Sequence, residues 1–400
     1  MAETTLLRRS RHGNCKPIRL RHRWRRIARL STGLCHKRLQ PSAQVLLVEK
    51  QSQFCGNHTW SFHRSDLSDT TWEWFSELVD RQWDGYHVEL GGVTRHIPIG
   101  YGSIFSDRLN QKIQTLRDNS DNLTTLSGSV RQLEERSLSL DTGERINGTA
   151  VLDCRGLRQG NSSMPRSGFQ KFVGLEVELE EDWIADTPCL MDDRVEQTDG
   201  FRFIYTLPLT ARRLLVEDTR FSNSRALNRD ACREVISRYL RERGFANYRV
   251  IREESGCLPM PYQRGSLPSQ MSVGYRGGFF HPATGYSIPL VANLANQIAN
   301  SAAADAAMVI AEYRNRWRFQ TTFSLWLNRL LFQLVTPTQR LQIFRRFYSK
   351  LPAETIQRFY AFQFTATDAA RIFLGRPPMG LTPLRFLQSF REKPCPAFPT

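Results

Sequence analysis

The sequence predicts an α/β fold, in which a nucleotide-binding type of domain is interrupted by an antiparallel β domain and followed by a helical carboxy-terminal region. Three observations predict it. Val45-Leu46-Leu47-Val48 is an unbroken aliphatic run, the mark of a strand buried on both faces in a parallel sheet. Residues 172–179, 201–207 and 214–221 alternate instead, and the last two are joined by a short polar connection, as in antiparallel strands with one buried face. Beyond Gly277-Gly278 the texture returns to the first kind, with a small-residue helix starting near Pro289 and running to about Ala307.

The intervening elements follow in order. Glu49 ends the first strand, and the chain turns through Cys55-Gly56-Asn57 into an aromatic stretch that includes Trp60, Phe62, Trp72 and Trp74. Residues 104–116 carry Ile104, Leu109, Ile113 and Leu116 near helical spacing. Residues 123–133 and 137–140, with a turn at Asp141-Thr142-Gly143, read as a hairpin region, and Ala150 to Asp153 as a short apolar strand. Residues 226–243 form a helix stopped by Gly244. From Met308 to Phe390 the chain is helical, basic and rich in Phe, Trp, Tyr and Leu.

The net charge of +16 is misleading. Residues 1–43 hold twelve Lys/Arg against one acid, Glu3, so this segment carries +11 and the rest only +5. That distribution argues against a nucleic-acid partner, since the basicity belongs to a tail. Eight cysteines are scattered without a CxxC pair or histidine clustering, which predicts reduced thiols in a cytosolic protein and no metal site. No window offers about 18 uninterrupted apolar residues, and the start lacks the apolar core of a secretory signal.

Four blocks in order carry a resemblance: Gly56-Asn57-His58-Thr59-Trp60-Ser61-Phe62-His63; Arg202 to Leu209; Leu214-Leu215-Val216-Glu217-Asp218-Thr219; and Phe280-His281-Pro282-Ala283-Thr284-Gly285-Tyr286-Ser287. Together they resemble bacterial lycopene β-cyclases, from about Val45 to about Pro378. The resemblance implies a Rossmann-like FAD-binding domain with an inserted antiparallel β substrate domain and a helical C-terminal region. It implies an enzyme of the intramolecular lyase or isomerase class. A proton adds to each end of linear lycopene, a neighbouring double bond attacks the cation, and a ring proton is lost, giving β-carotene through γ-carotene. It further implies reduced FAD, reduced by NAD(P)H, without net redox change.

The family opens with a glycine-rich turn of G-x-G-x-x-G/A type, where the backbone approaches a pyrophosphate at a helix amino terminus. Here residues 1–43 contain only Gly13 and Gly33. An arginine-rich segment of about the length of the missing βα unit is what translation in a wrong frame upstream of codon 44 would give. The resulting map places this anomalous segment at 1–43, the FAD-binding domain at 44–160 and 270–308, the substrate domain at 161–269, and a helical membrane- and substrate-facing region at 309–400.

Site expectations combine both lines. Strand alternation puts Glu217 and Asp218 on opposite faces, so only one can enter a given cavity. A carboxyl in an apolar pocket keeps its proton at neutral pH and can serve an alkene. The bland alternative is a hairpin carboxylate paired with Arg202 or Arg220; the family motif favours Glu217 as the catalytic acid or cation stabiliser, with Asp218 second. Glu49 matches the acid that holds a ribose in dinucleotide folds, against a strand-terminal surface acid. Gly56, Asn57, His58, Asp153, Arg155, Gly277, Gly278, His281, Pro282, Thr284 and Gly285 are expected around the flavin; the alternatives are plain turns and strand ends. Trp60, Phe203 and Tyr205 are expected against the polyene.

The aromatic and basic carboxy-terminal helices read either as core or as a docking face for anionic lipid. The resemblance thus implies a cytoplasmic protein peripheral to the inner face of the cell membrane, with lycopene, other acyclic carotenoid ends and neighbouring carotenoid-pathway enzymes as partners. Two other classes stay open. A related FAD-dependent hydroxylase or isoprenoid reductase would consume NAD(P)H stoichiometrically. A cyclase inactive through its disrupted amino-terminal region would purify without flavin.

Overall fold

The computed structural model describes residues 42–51, 54–156, 166–265 and 268–374. The arginine-rich expectation at 1–43 therefore lies almost wholly outside the described residues, as does everything beyond 374.

Strand β1 (Val45–Glu49) is buried along its whole length. Its two faces explain the aliphatic run. Val45 and Leu47 pack with α2 (Ser106–Asp118) and α5 (Ile288–Ala299) through Leu109, Ile113, Leu290 and Leu294. Leu46 and Val48 pack against the small sheet β8 (Val130–Leu133), β9 (Ser137–Leu140) and β10 (Arg145–Asn147). The 123–133 stretch departs from the expected hairpin: β7 (Leu123–Ser127) pairs parallel with β1, and only β8 turns back into the antiparallel sheet. Parallel pairing needs the α2 crossover that separates them. The helix expected from Ile104 starts at Ser106, because Tyr101 to Phe105 form strand β6 between β2 (Thr59–His63) and β3 (Arg81–Trp83).

The second body is a seven-stranded sheet in the order β15-β11-β14-β13-β12-β4-β5. Its long members are β11 (Ser167–Leu179), β13 (Phe201–Pro208), β14 (Arg213–Ser222) and β15 (Tyr248–Pro261), all antiparallel to their neighbours. Strands β4 (Tyr86–Leu90) and β5 (Val93–Ile97) complete the far edge beside β12 (Cys189–Asp192), so the sheet draws on chain from the 44–160 span as well as from 161–269. One face is covered by α3 (Arg229–Arg241), whose Val235, Ile236, Tyr239 and Leu240 meet Leu175, Val177, Ile204 and Val216. The other face carries Phe201, Phe203 and Phe221, which pack toward the carboxy-terminal helices.

Those helices include α6 (Ala306–Arg316), α7 (Arg318–Arg329), α8 (Arg340–Lys350), α9 (Ala353–Tyr360) and α10 (Ala366–Phe373). Alternation along the strands thus builds two different surfaces from one sheet. The apolar one touching α3 is sealed core, and the aromatic one forms a wall of a cavity.

Candidate functional site: an aromatic cavity with a carboxyl pair

A cavity of about 820 Å³ opens between the aromatic face of the large sheet, strand β2, the turn before α5 and the carboxy-terminal helices. Its lining includes Glu217, Tyr205, Phe203, Phe172 and Glu254 from the sheet. Gly56, Asn57, His58 and Trp60 come from the β1–β2 connection and β2, and Phe344, Phe347, Phe359 and Tyr360 from α8 and α9. Aromatic rings from the sheet and the carboxy-terminal helices form one side of the wall, and polar groups from the β1–β2 connection, β15 and the turn before α5 form much of the rest, so the site suits an apolar ligand beside a polar one.

Glu217 sits in mid-strand on β14, opposite Tyr205 of β13 and Gly174 of β11. Part of its surface opens to the cavity, while the surrounding protein removes it from bulk water. Its Oε1 accepts a hydrogen bond of 2.5 Å from the Thr219 hydroxyl, two residues along on the same face. Burial first and the nearby Glu254 charge second push its carboxyl up, against the Thr219 bond, to about 8, with Asp218 adding to the rise. At neutral pH the group keeps its proton.

Asp218 corrects an expectation. It points to the α3 face, fully buried, and accepts from Arg202 at 2.8 and 2.7 Å and from Arg220 at 3.0 Å. Burial would raise its carboxyl, but the bonds and charges of the two guanidinium groups hold it below the usual range. It is a structural ion-pair member and takes no part in the cavity.

The β1–β2 connection and the start of β2 reach the cavity. Asn57 Nδ2 donates to the Glu253 carbonyl at 2.6 Å, and its Oδ1 accepts from Arg252 at 2.8 Å, which ties this loop to β15. His58 packs edge-on to Trp60 with centroids 5.2 Å apart. Tyr205 bonds Ser61 at 2.9 Å and Tyr101 at 3.1 Å through its hydroxyl, so its ring is held at two points.

The remaining flavin candidates divide. Thr284 and Gly285 line the cavity together with Ser287 and Ile288, at the amino end of α5. Gly285 adopts φ +68°, and its carbonyl accepts from the Tyr275 hydroxyl. Gly277 and Gly278 do not reach the wall. A side chain at Gly277 would lie 2.2 Å from the Ser272 carbonyl oxygen, and Gly278 is left-handed at φ +78°, so both are glycine for their own backbone. His281 is likewise structural. It is 1 % exposed, its Nδ1 accepts from Ala283 N and its Nε2 meets the Phe359 carbonyl at 3.1 Å. Burial drives it down to about 3, leaving it neutral. Pro282 offers its carbonyl to Asn328 at 2.6 Å.

Glu49 is buried at the end of β1, its Oε1 accepting from the backbone of Lys50 at 3.0 Å, and Gln51, two residues further on, is on the cavity wall. Asp153 bridges to Ser272 and is gripped by Arg155 and Arg276, which hold its carboxyl low against burial. Neither Asp153 nor Arg155 lines the cavity, although Gly156 does.

Two groups escaped the sequence reading. Glu254, 3 % exposed, presents a second carboxylate to the cavity from β15. The signal was there in the adjacent acids Glu253-Glu254; both reach the cavity wall, but Glu253 is paired with Arg233 at 2.7 Å and only Glu254 is fully buried. His63 lines the cavity within a ring of Tyr86, Tyr101, Tyr286 and Tyr360, with centroids 5.0 to 6.2 Å away. These tyrosines come from four separate segments, so no local pattern collects them.

Residues 29–386 match the family model described as lycopene cyclase protein. The chain belongs to the lycopene cyclase family. It is 37 % identical over 366 residues to lycopene beta-cyclase of Pseudescherichia vulneris, covering 88 % of this chain and 93 % of that protein. Among solved structures, a geranylgeranyl bacteriochlorophyll reductase-like protein from Thermoplasma acidophilum superposes with a TM-score of 0.63 at 9 % identity, covering 92 % of this chain and 98 % of that one. A flavin-dependent brominase superposes with a TM-score of 0.62 at 13 % identity, covering 89 % and 97 %. The lycopene cyclase chain therefore shares a fold with proteins of other activities, and its cavity decides its chemistry.

Proposed function

We infer that this chain is a lycopene β-cyclase, closing the linear ends of lycopene to β-rings through γ-carotene to β-carotene. The observation that carries the reading is Glu217: a carboxyl that holds its proton at neutral pH, placed on an aromatic wall in a chain of the lycopene cyclase family. Protonating an alkene needs a general acid kept from water, and the tertiary cation that results needs a wall that does not attack it. Trp60, Phe203 and Tyr205 offer π-faces of the kind that stabilise cations, and no strong nucleophile. Tyr205 is fixed by its two hydroxyl partners and so holds its ring still beside Glu217.

FAD fits the cavity on this chain's own features. Ser287 makes no side-chain cap at the start of α5, and with Pro289 carrying no N–H the Ile288 N–H is the first-turn donor beside the wall, where the positive end of the helix suits a ring carbonyl or phosphate. Gln170 Oε1 is buried there without a hydrogen-bond partner. Thr284, Gly285 and Gln170 would hold the ring end, and Glu49 at the end of β1 suits a ribose. When bound and reduced by NAD(P)H, the flavin supplies an electron-rich surface beside the developing cation. Gly56, Asn57 and His58 line the same cavity and are tied to β15 through Asn57.

No helix among the described residues is long and apolar enough to cross a membrane. The lipid-borne substrate is reached through a docking face: Phe319, Phe373 and Leu374 are exposed near Arg318 and Arg371. Pelleting with anionic vesicles and not with neutral ones supports this face; binding to neither overturns it.

The function is tested by expressing the full chain in lycopene-accumulating cells and separating the pigments. γ- and β-carotene are expected from the wild type and lycopene alone from Glu217→Gln. Unchanged lycopene from a folded, flavin-loaded wild type overturns the reading. NAD(P)H consumed in proportion to product would move the chain to the reductase or hydroxylase class.

A further inference from the structure

We propose that Glu254 is the base of the ring closure: it takes up the ring proton while Glu217 gives one, the two working as a pair across Gly174. The assignment rests on the cyclase reading and adds to it the fate of the second proton.

The pair is built by register. Strand β11 lies between β14 and β15, and Gly174 is opposite Glu217 on one side and Glu254 on the other. Residues opposite one another share a face, so both side chains stand over the same glycine. A Cβ at position 174 would sit 3.2 Å from Glu254 Cγ and 3.6 Å from Glu217 Cβ. Even a methyl there would press Glu254 aside, and any longer side chain would wall the two carboxyls apart. Glycine in mid-strand costs stability, and here it leaves open the gap that the pair needs.

The surroundings of the two acids are unequal. Glu254 Oε2 accepts from Arg252 Nη1 at 2.7 Å and from the Thr59 hydroxyl at 3.1 Å, and Oε1 lies 3.9 Å from His58 Nδ1. Arg252 in turn bonds Glu176 at 2.9 Å and Thr59 at 2.7 Å, so its guanidinium is fixed. Glu217 has the Thr219 hydroxyl and, among the described residues, no cationic partner. Burial raises the Glu254 carboxyl above its usual value, but the Arg252 guanidinium and the Thr59 hydroxyl oppose that rise. Glu217 lacks such a cation among the described residues and is raised further by the Glu254 charge. Glu254 is therefore the member that ionises first and Glu217 the one that keeps the proton. Among the described residues the other titratable or charged groups near them or on the same cavity wall include Glu176 and Arg252 on the same sheet face, Glu253 of β15, Arg229 of α3, His58 and His63 from the β1–β2 connection and β2, and Tyr205 and Tyr101, with Asp218 behind the sheet.

The proton accounting closes. The Glu217 proton bonds to the terminal alkene carbon, using the alkene electron pair and leaving a tertiary cation. The neighbouring double bond supplies the pair that closes the ring, which moves the charge to its far carbon. The adjacent C–H bond then breaks, its pair becomes the ring double bond, and the proton passes to the Glu254 carboxylate. Substrate and product are isomers, and the pair differs only in which member holds the proton. Transfer back across the Gly174 gap restores the starting state, with no oxidant or reductant consumed.

The test uses the full-length, flavin-loaded protein, reduced and supplied with lycopene in liposomes. Glu254→Gln is expected to slow β-ring formation by about 10²–10⁴-fold, the span typical of a lost acid–base group, with flavin content and melting temperature near wild type. Glu254→Asp should recover part of the rate. The residual activity of Glu254→Gln should lose its alkaline limb at lower pH than wild type, because the charge opposing Glu217 ionisation is gone. It should also lose the acidic limb that a base requiring ionisation imposes on wild type, which a merely structural carboxylate would not impose. Gly174→Ala, which spreads the pair while leaving both acids, should slow the reaction and shift the alkaline limb in the same direction, and it decides the matter if Glu254→Gln fails to fold. Folded variants that cyclise at the wild-type rate with an unmoved limb overturn the assignment. A folded, flavin-loaded wild type that forms no rings overturns the cyclase reading, and this assignment with it.

Discussion

Glu217 and Asp218 are neighbours on one strand with opposite electrostatic fates. Glu217 faces aromatic rings and another carboxyl and holds its proton; Asp218 faces Arg202 and Arg220 and is ionised. The difference comes from the pleat, which sends successive side chains to opposite faces, and from the helix α3 that covers only one of them. One strand thereby supplies an acid to the cavity and an anchor to the core.

The first consequence is a pH-dependent rate. A donor raised to about 8 is protonated below that value, so turnover should hold through neutrality and fall as pH rises past about 8. Glu217→Gln should abolish ring formation at every pH, read as pigment produced per folded protein. A variant with measurable turnover and the same alkaline limb would remove Glu217 from the chemistry.

The same group gives a stability prediction with a definite sign. Its folded value, about 8, lies above the unfolded carboxyl value of 4.5. Its contribution is therefore fully present below 4.5 and is lost as pH rises through 8. The melting temperature of Glu217→Gln relative to wild type should climb between those limits and level off above them.

Asp218 behaves in reverse. Its carboxyl is held low, so its contribution is present above the unfolded value and disappears as pH falls through the folded one. Asp218→Asn leaves Arg202, only 3 % exposed, without its counter-ion. Loss of about 3–5 kcal/mol in denaturant unfolding is expected, with activity per folded molecule retained. Loss of activity without loss of stability would return Asp218 to the site.

Much of this was legible in the residues themselves. The run at Val45–Val48 announced a strand with two buried faces, and alternation separated Glu217 from Asp218 before any coordinates did. What stayed hidden depends on pairing between distant segments. Gly174 reads as an ordinary weak spot in a strand until register sets Glu217 and Glu254 on either side of it. His281 looked like a cofactor contact because it sits in a motif. Its ring is instead enclosed by Phe359, Phe362 and Phe364, from a part of the chain that local pattern cannot connect to it.

For His281 the structure thus predicts a fold phenotype. The neutral ring joins the Ala283 N–H to the Phe359 carbonyl, and burial holds it at about 3. With the folded value below the unfolded 6.5, its contribution is complete above 6.5 and wanes as pH falls toward 3. His281→Ala should cost about 1–3 kcal/mol for the unpaired buried groups and should be less acid-sensitive than wild type. A changed alkaline limb of activity in this variant would place it nearer the reaction than its geometry does.

The arginine-rich stretch before β1 yields the last prediction. A dinucleotide fold meets its pyrophosphate with a glycine-rich turn and a helix amino terminus. Residues 1–43 carry Gly13 and Gly33 alone, while the ring end of the cavity retains Thr284, Gly285 and the amino end of α5. If the missing glycine-rich turn is not replaced by other contacts, the chain should hold the cofactor weakly and lose it on gel filtration. Replacing the stretch with a glycine-rich strand–turn–helix should restore flavin absorbance to near one per chain and raise ring formation in parallel. Flavin retained at full occupancy by the chain as written would show that other residues supply the pyrophosphate contacts, and a neighbouring reading frame of the encoding DNA that lacks a glycine-rich turn would argue against a frame error as the origin of the stretch.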